Sequence, residues 1–116
     1  MPLSESDAQY LRDMKSLSIE ISAYVVGLKF EPWSGVSSLV RATERVLELL
    51  GEAANRVSDE CKEANPEIAF RKMTGLRKIL AHEYGVVRLE VLWETATDDI
   101  PVLLKQLNTL LRESET

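Results

Sequence analysis

Tyr10-Leu-Arg-Asp-Met-Lys-Ser-Leu-Ser-Ile-Glu-Ile-Ser-Ala-Tyr-Val-Val-Gly-Leu28 is the stretch on which the fold turns. Tyr10, Met14, Leu17, Ile21, Tyr24 and Leu28 recur at alternating spacings of four and three, with Arg12, Asp13, Lys15 and Glu20 between them. That period places the apolar side chains along one face of an α-helix. Ser4 or Ser6 is positioned to cap its start, and Gly27 with Lys29 marks its end. A repeat this regular either packs against two neighbouring helices or against a second copy of the chain, and packing within the chain is the simpler reading.

The same period continues downstream. Pro32 and Gly35 make residues 30–35 a connection, and a second helix carries Leu39, Ala42, Val46, Leu50, Ala53 and Val57 on one stripe. Residues 58–65 are polar, and Asn65-Pro66 reads as the start of a third helix running to about Tyr84, where Gly85 can supply a left-handed cap. A fourth apolar pattern runs from Leu89 through Leu92, Trp93, Ala96, Ile100, Leu103, Leu107 and Leu110. Pro101 predicts a break in it, with Asp98 or Asp99 capping a short fifth helix. No useful length alternates with period two. The expected fold is therefore all-α, a four- to five-helix up-and-down bundle.

Composition sets the outer limits. A chain of 116 residues, 45% apolar and 28% charged, suits a single globular domain over residues 1–116. Cys61 is the lone cysteine, which argues against a disulfide framework or a metal cluster and fits a reducing cytoplasm. The N-terminal stretch from Met1 to Asp7 is acidic rather than basic, and the apolar run from Ala23 to Leu28 is far too short to span a bilayer, so the expectation is a cytoplasmic protein with no membrane partner.

The net charge of −5 disfavours a general nucleic-acid binder, because neutralising phosphates supplies most nonspecific affinity. The charge is uneven, however. Arg71, Lys72, Arg77, Lys78 and Arg88 face only Glu83 between residues 71 and 88, a local charge of +4. Such a patch suits phosphate, although charge alone is equally consistent with a solvated helix face.

His82 is the only histidine, hence the only imidazole for proton transfer near neutral pH. On a wheel of 100° per residue, Ala69, Met73, Leu76 and Leu80 form the buried stripe of the third helix, and His82 lies about 160° from its centre. It shares that outer face with Arg71, Gly75 and Lys78. A lone histidine is usually a hydrogen-bonded core residue, and this position speaks against that. Gly75 costs a helix about 1 kcal/mol relative to alanine, which makes sense where a backbone or nucleotide comes close. Arg77 and Tyr84 stack on a flank between core and solvent, where Tyr84 can equally be a packing residue with its hydroxyl in water. Arg77 and His82 are about 140° apart on an ideal helix, so they meet only if the arginine curls round or a second subunit forms a shared cleft.

Arg77, four residues, His82, one residue and Tyr84 resemble the Arg-x4-His-x-Tyr signature of the HepT-like branch of HEPN proteins. The resemblance runs from Tyr10 to Leu111. Leu50-Gly51-Glu52-Ala53-Ala54 is similar to a Gly-Glu-Ala-Ala segment of that family. Pro66 to Phe70 is similar to its Pro-x-Ile-Pro-Trp, with Ala69 and Phe70 replacing proline and tryptophan. Val87 to Trp93 and Ile100-Pro101 follow in order. One position departs: a polar residue, most often asparagine, commonly follows the arginine, whereas Lys78 stands here and cannot accept a hydrogen bond.

The resemblance implies a two-fold homodimer and a metal-independent endoribonuclease, the toxin of a type VII-like toxin–antitoxin system, needing no cofactor. It implies Arg77 and His82 as catalytic residues, and the basic stretch then offers Arg71, Lys72, Lys78 and Arg88 to RNA phosphate. It also implies inhibition through adenylation of Tyr84 by a partner MNT-type nucleotidyltransferase. The alternative is a non-catalytic HEPN-like subunit that presents substrate to such a nucleotidyltransferase, and a purely structural bundle is a third reading.

Overall fold

Three long helices set the frame, α1 (Glu5–Val25), α3 (Ser37–Arg56) and α7 (Ile100–Ser114). Between them come α2 (Phe30–Ser34), α4 (Asp59–Ala64), α5 (Phe70–His82) and α6 (Gly85–Glu94), and a π-helical turn over Thr95–Asp99 joins α6 to α7. The structure is a computed structural model that describes residues 3–114; Met1 and Pro2, the start of the acidic N-terminal stretch, and residues 115 and 116 lie outside the described residues. No strand occurs among those described, so the all-α expectation holds.

α1 packs along α3 on one side and α7 on the other, while α5 packs along α3. Because it is held from two sides, α1 buries a broader face than one stripe. Leu11, Met14, Ser18, Ile21 and Val25 are buried, with Tyr10, Leu17 and Tyr24 half-buried beside them. Leu28 falls outside the helix, since Gly27 turns the chain at φ 72°. Ser4 caps the start as expected, its hydroxyl accepting from the Asp7 amide at 3.1 Å.

The connection at residues 30–35 is a helical turn rather than an open loop. Pro32 sits in the first turn of α2, where amides have no intrahelical acceptor to lose. The turn delivers Trp33 into the core, where its Nε1 donates to Thr43 Oγ1 at 3.3 Å and its ring centroid lies 5.2 Å from that of Trp93. Phe30 completes an aromatic clasp that fastens α2 to α6.

α3 follows expectation: Val46, Leu50, Ala53 and the succeeding Val57 are buried. The polar segment after it forms α4, with Ser58 as its cap. The buried Asp7 carboxylate accepts from the Ser58 amide at 2.8 Å and from its hydroxyl at 2.6 Å, tying the start of α1 to the start of α4.

Pro66 does not begin the third long helix. Asn65 instead closes α4 by donating to the Cys61 carbonyl at 2.9 Å, and a tight turn inserts Ile68 into the core before α5 starts at Phe70. Met73, Leu76 and Leu80 are buried as the wheel predicts, with Phe70 rather than Ala69 completing the stripe. α5 stops at His82, Glu83 and Tyr84 are extended, and Gly85 (φ 58°) opens α6 instead of capping α5. Two extended residues separate the helices, so the left-handed residue redirects the chain into the next helix.

Pro101 does not break the last helix. The π-helical turn just before it reaches one residue further back for its hydrogen bonds, which accommodates the missing N–H without leaving the helical region. Thr95 and Thr97 hydroxyls donate to the carbonyls of Val91 and Trp93 at 2.7 and 2.8 Å. Lys72 on α5 pairs with Asp99 in the turn at 2.9 Å, so the irregularity is also anchored from outside.

Candidate functional site

The site grows out of the last two turns of α5. Packing on α3 buries only the Phe70–Met73–Leu76–Leu80 stripe, which leaves the opposite side in solvent. Arg71, Lys78 and His82 are all exposed on that side. Gly75 lies among them, and a Cβ built there would have nothing within 4 Å. The glycine is therefore not required by packing within the chain; the outer face of α5 is simply open. Tyr84, in the extended link beyond the helix, is 80% exposed.

Arg77 emerges on the flank next to α3. Its Nη1 lies 3.6 Å from Glu52 Oε1, and both side chains remain partly in solvent. Arg77 and His82 sit about 7.5 Å apart along the helix axis and about 140° apart around it. Glu52 draws the guanidinium toward α3 while the imidazole faces outward. One chain thus supplies both groups without making them converge.

The five cations of the basic stretch divide by environment. Arg71 and Lys78 form no ion pair among the described residues and are available on the outer face. Lys72 is engaged by Asp99 on the opposite flank from Arg77. Arg88 is half-buried: it pairs with Glu44 of α3 and donates to the Leu80 carbonyl, one of the last carbonyls of α5 left without a helical partner. That guanidinium closes the end of α5 and holds α6 against α3, so it stands apart from the cations on the open outer face. Near the signature, Ile79, Val86 and Val87 expose apolar surface beside Tyr84.

Two residues of the site enter the sequence reading only as part of the family-like segment, with no role at the site. Gly51 lies where α3 and α5 cross, and a Cβ there would come within 2.8 Å of the Met73 carbonyl oxygen. Glu52 follows it and faces Arg77 across the crossing. The available signal is the small-residue run Gly51-Glu52-Ala53-Ala54, in which a carboxylate interrupts residues suited to close helix contact. Beside Glu52, an open groove between α1 and α3 is lined by Tyr10, Asp13, Leu17, Leu49 and Arg56. No cluster of three or more His, Cys, Asp or Glu capable of holding a metal occurs among the described residues.

A family model described as ribonuclease HepT-like matches residues 9–110. The chain is 34% identical to a protein named "Putative RNase" from Caldanaerobacter subterraneus subsp. tengcongensis, over 78% of this chain and 81% of that one. It is 33% identical to a "Probable ribonuclease HepT" from Thermococcus cleftensis, over 87% and 92% respectively. A "Putative RNase" from Methanocaldococcus jannaschii is 28% identical over 91% of each chain. No solved structure matches.

Proposed function

The chain belongs to the ribonuclease HepT-like family, and from that premise we propose that it is a metal-independent endoribonuclease whose active site forms between two copies. The observation that carries this reading is the outward-facing imidazole of His82 at the end of a helix that also bears Arg77 and an open basic face. RNA brings its own nucleophile. An imidazole takes the proton of the 2′-hydroxyl, the 2′-oxygen attacks phosphorus, and the bond from phosphorus to the 5′-oxygen breaks. That oxygen is protonated by a second imidazole, and the products carry 2′,3′-cyclic phosphate and 5′-hydroxyl ends. Arg77 stabilises the charge on the equatorial oxygens.

A single histidine cannot stand on both sides of the phosphate. A two-fold pairing that covers Ile79, Val86 and Val87 would bring the second His82 across and let Arg77 of one copy face the imidazole of the other. Arg71 and Lys78 then flank the scissile phosphate along the outer face. Lys72 and Arg88, held by Asp99 and Glu44, support α5 instead of contacting RNA.

In a toxin–antitoxin pair, a nucleotidyltransferase would modify Tyr84: the phenol oxygen attacks the α-phosphate of ATP and pyrophosphate leaves. A tyrosine this exposed is accessible to another enzyme, and the added adenylate would occupy the surface that RNA requires. Lys78 favours the second reading, a binding subunit that does not cut, because it cannot accept a hydrogen bond from the histidine or the substrate.

Purified chain incubated with RNA, with and without EDTA, separates the two readings. His82→Ala is expected to lower cleavage by at least about 100-fold, the usual scale of one general acid–base group, with helicity unchanged. Undiminished cleavage by that variant, or linear 3′-phosphate as the first product, would refute the mechanism.

A further inference from the structure

Arg77 is already occupied. Of the ion pairs that α5 and α6 make, those of Lys72 and Arg88 tie the helix into the bundle, whereas the Arg77–Glu52 contact is long and solvated. Only Nη1 reaches the carboxylate, at 3.6 Å, well outside the 2.7–2.9 Å of a strong charge-assisted hydrogen bond. The remaining guanidinium donors are turned to no partner among the described residues. A pair this exposed is weak, and a phosphate diester can compete with it.

The carboxylate also has somewhere to go. Arg56 stands one turn beyond Glu52 on the same helix, lines the same groove, and forms no ion pair among the described residues. Glutamate four residues before arginine is the favourable order for a pair along a helix. Gly51 sets how close α3 and α5 approach, and so how near Glu52 lies to Arg77, while Arg56 lines the same groove as Glu52 four residues further along α3.

We propose that Glu52 is the resident counter-ion of Arg77, holding the guanidinium on the α3 flank until a phosphate displaces the carboxylate, which then pairs with Arg56. The proposal rests on Arg77 being a phosphate-binding residue, and it adds a gate to that role. Without phosphate the guanidinium is kept from the outer face; with phosphate it is released. Two substitutions then act in opposite directions on one readout. Removing the charge of Glu52 makes phosphate binding easier, and removing the charge of Arg56 makes displacement harder.

The test uses the whole chain and inorganic pyrophosphate as the probe. Arg77 is modified by phenylglyoxal at fixed low ionic strength, its modification is followed by peptide mass mapping, and pyrophosphate is titrated in as protectant. Glu52→Gln is expected to lower the half-protecting concentration by about twofold to fivefold, and Arg56→Gln to raise it, with circular dichroism confirming that both remain helical. Equal concentrations in wild type and Glu52→Gln, or no protection in any variant, overturn the proposal. If Glu52→Gln does not fold, the direction of the Arg56→Gln shift decides alone, and no rise there overturns it. RNA cleavage is scored separately. A chain that cuts RNA with equal protection in both forms keeps the ribonuclease reading and loses the gate, whereas a chain that cuts nothing yet shows both shifts keeps the gate and loses the nuclease.

Discussion

Cys61 is a free cysteine whose surroundings set its chemistry. Its thiol is buried on the inner side of α4, and desolvation, reinforced by the nearby Asp7 carboxylate, pushes its pKa above the ordinary thiol range. It is inert packing, with Asn65 closing over it. The sign of its effect on stability follows. The folded state binds the thiol proton more tightly than the unfolded state, so the contribution is intact at neutral pH and is lost as pH rises above the unfolded value of about 8.5. Alkylation of the native chain by iodoacetamide at pH 8 is expected to run at least about tenfold slower than in denaturant. Equal rates would show that the thiol is open to solvent. His82 is the opposite case: its wheel position away from the buried stripe correctly placed it in solvent.

At the level of helices, the two glycines in and opposite α5 have contrasting roles that sequence alone does not separate. Gly51 is buried against the Met73 carbonyl, while Gly75 faces open space. Gly51→Ala forces the α3–α5 crossing apart and is expected to cost about 1–3 kcal/mol in denaturant unfolding. Gly75→Ala meets no atom and removes a weak helix former, so it is expected to stabilise by up to about 1 kcal/mol. Unfolding midpoints moving in the same direction for both would mean that α3 and α5 part easily enough to admit a methyl group. The π-helical turn before Pro101 carries a related lesson. Proline removes one donor, but a helix held by Lys72–Asp99 and by two threonine hydroxyls absorbs that loss by changing its hydrogen-bond register.

Considered as a whole, the molecule is acidic with one basic outer face, and its exposed apolar residues near the signature lie beside that face. Under the proposed function, charge would keep phosphate away from most of the surface and admit it along Arg71, Lys78 and His82. Pairing through the apolar residues is testable at this scale. Val87→Asp is expected to shift the chain from dimer to monomer in sedimentation and to abolish RNA cleavage while leaving helicity intact. A monomeric variant that still cuts at the wild-type rate would place the whole active site within one chain and remove the need for a second imidazole.

Periodicity in the amino-acid order was sufficient to establish an all-α fold, most of the buried stripes of α3 and α5, and a histidine turned to solvent, because each depends on which way neighbouring side chains point along one helix. It did not say that α2 and α4 are helices, since five or six residues hold a helical turn only when packing and capping groups from elsewhere support it. Nor did it reveal that Glu52 holds Arg77, that Glu44 holds Arg88, or that Gly85 opens a helix. Those are contacts and turns settled by how helices distant in sequence cross, and a pattern of faces names no partner until the chain has folded.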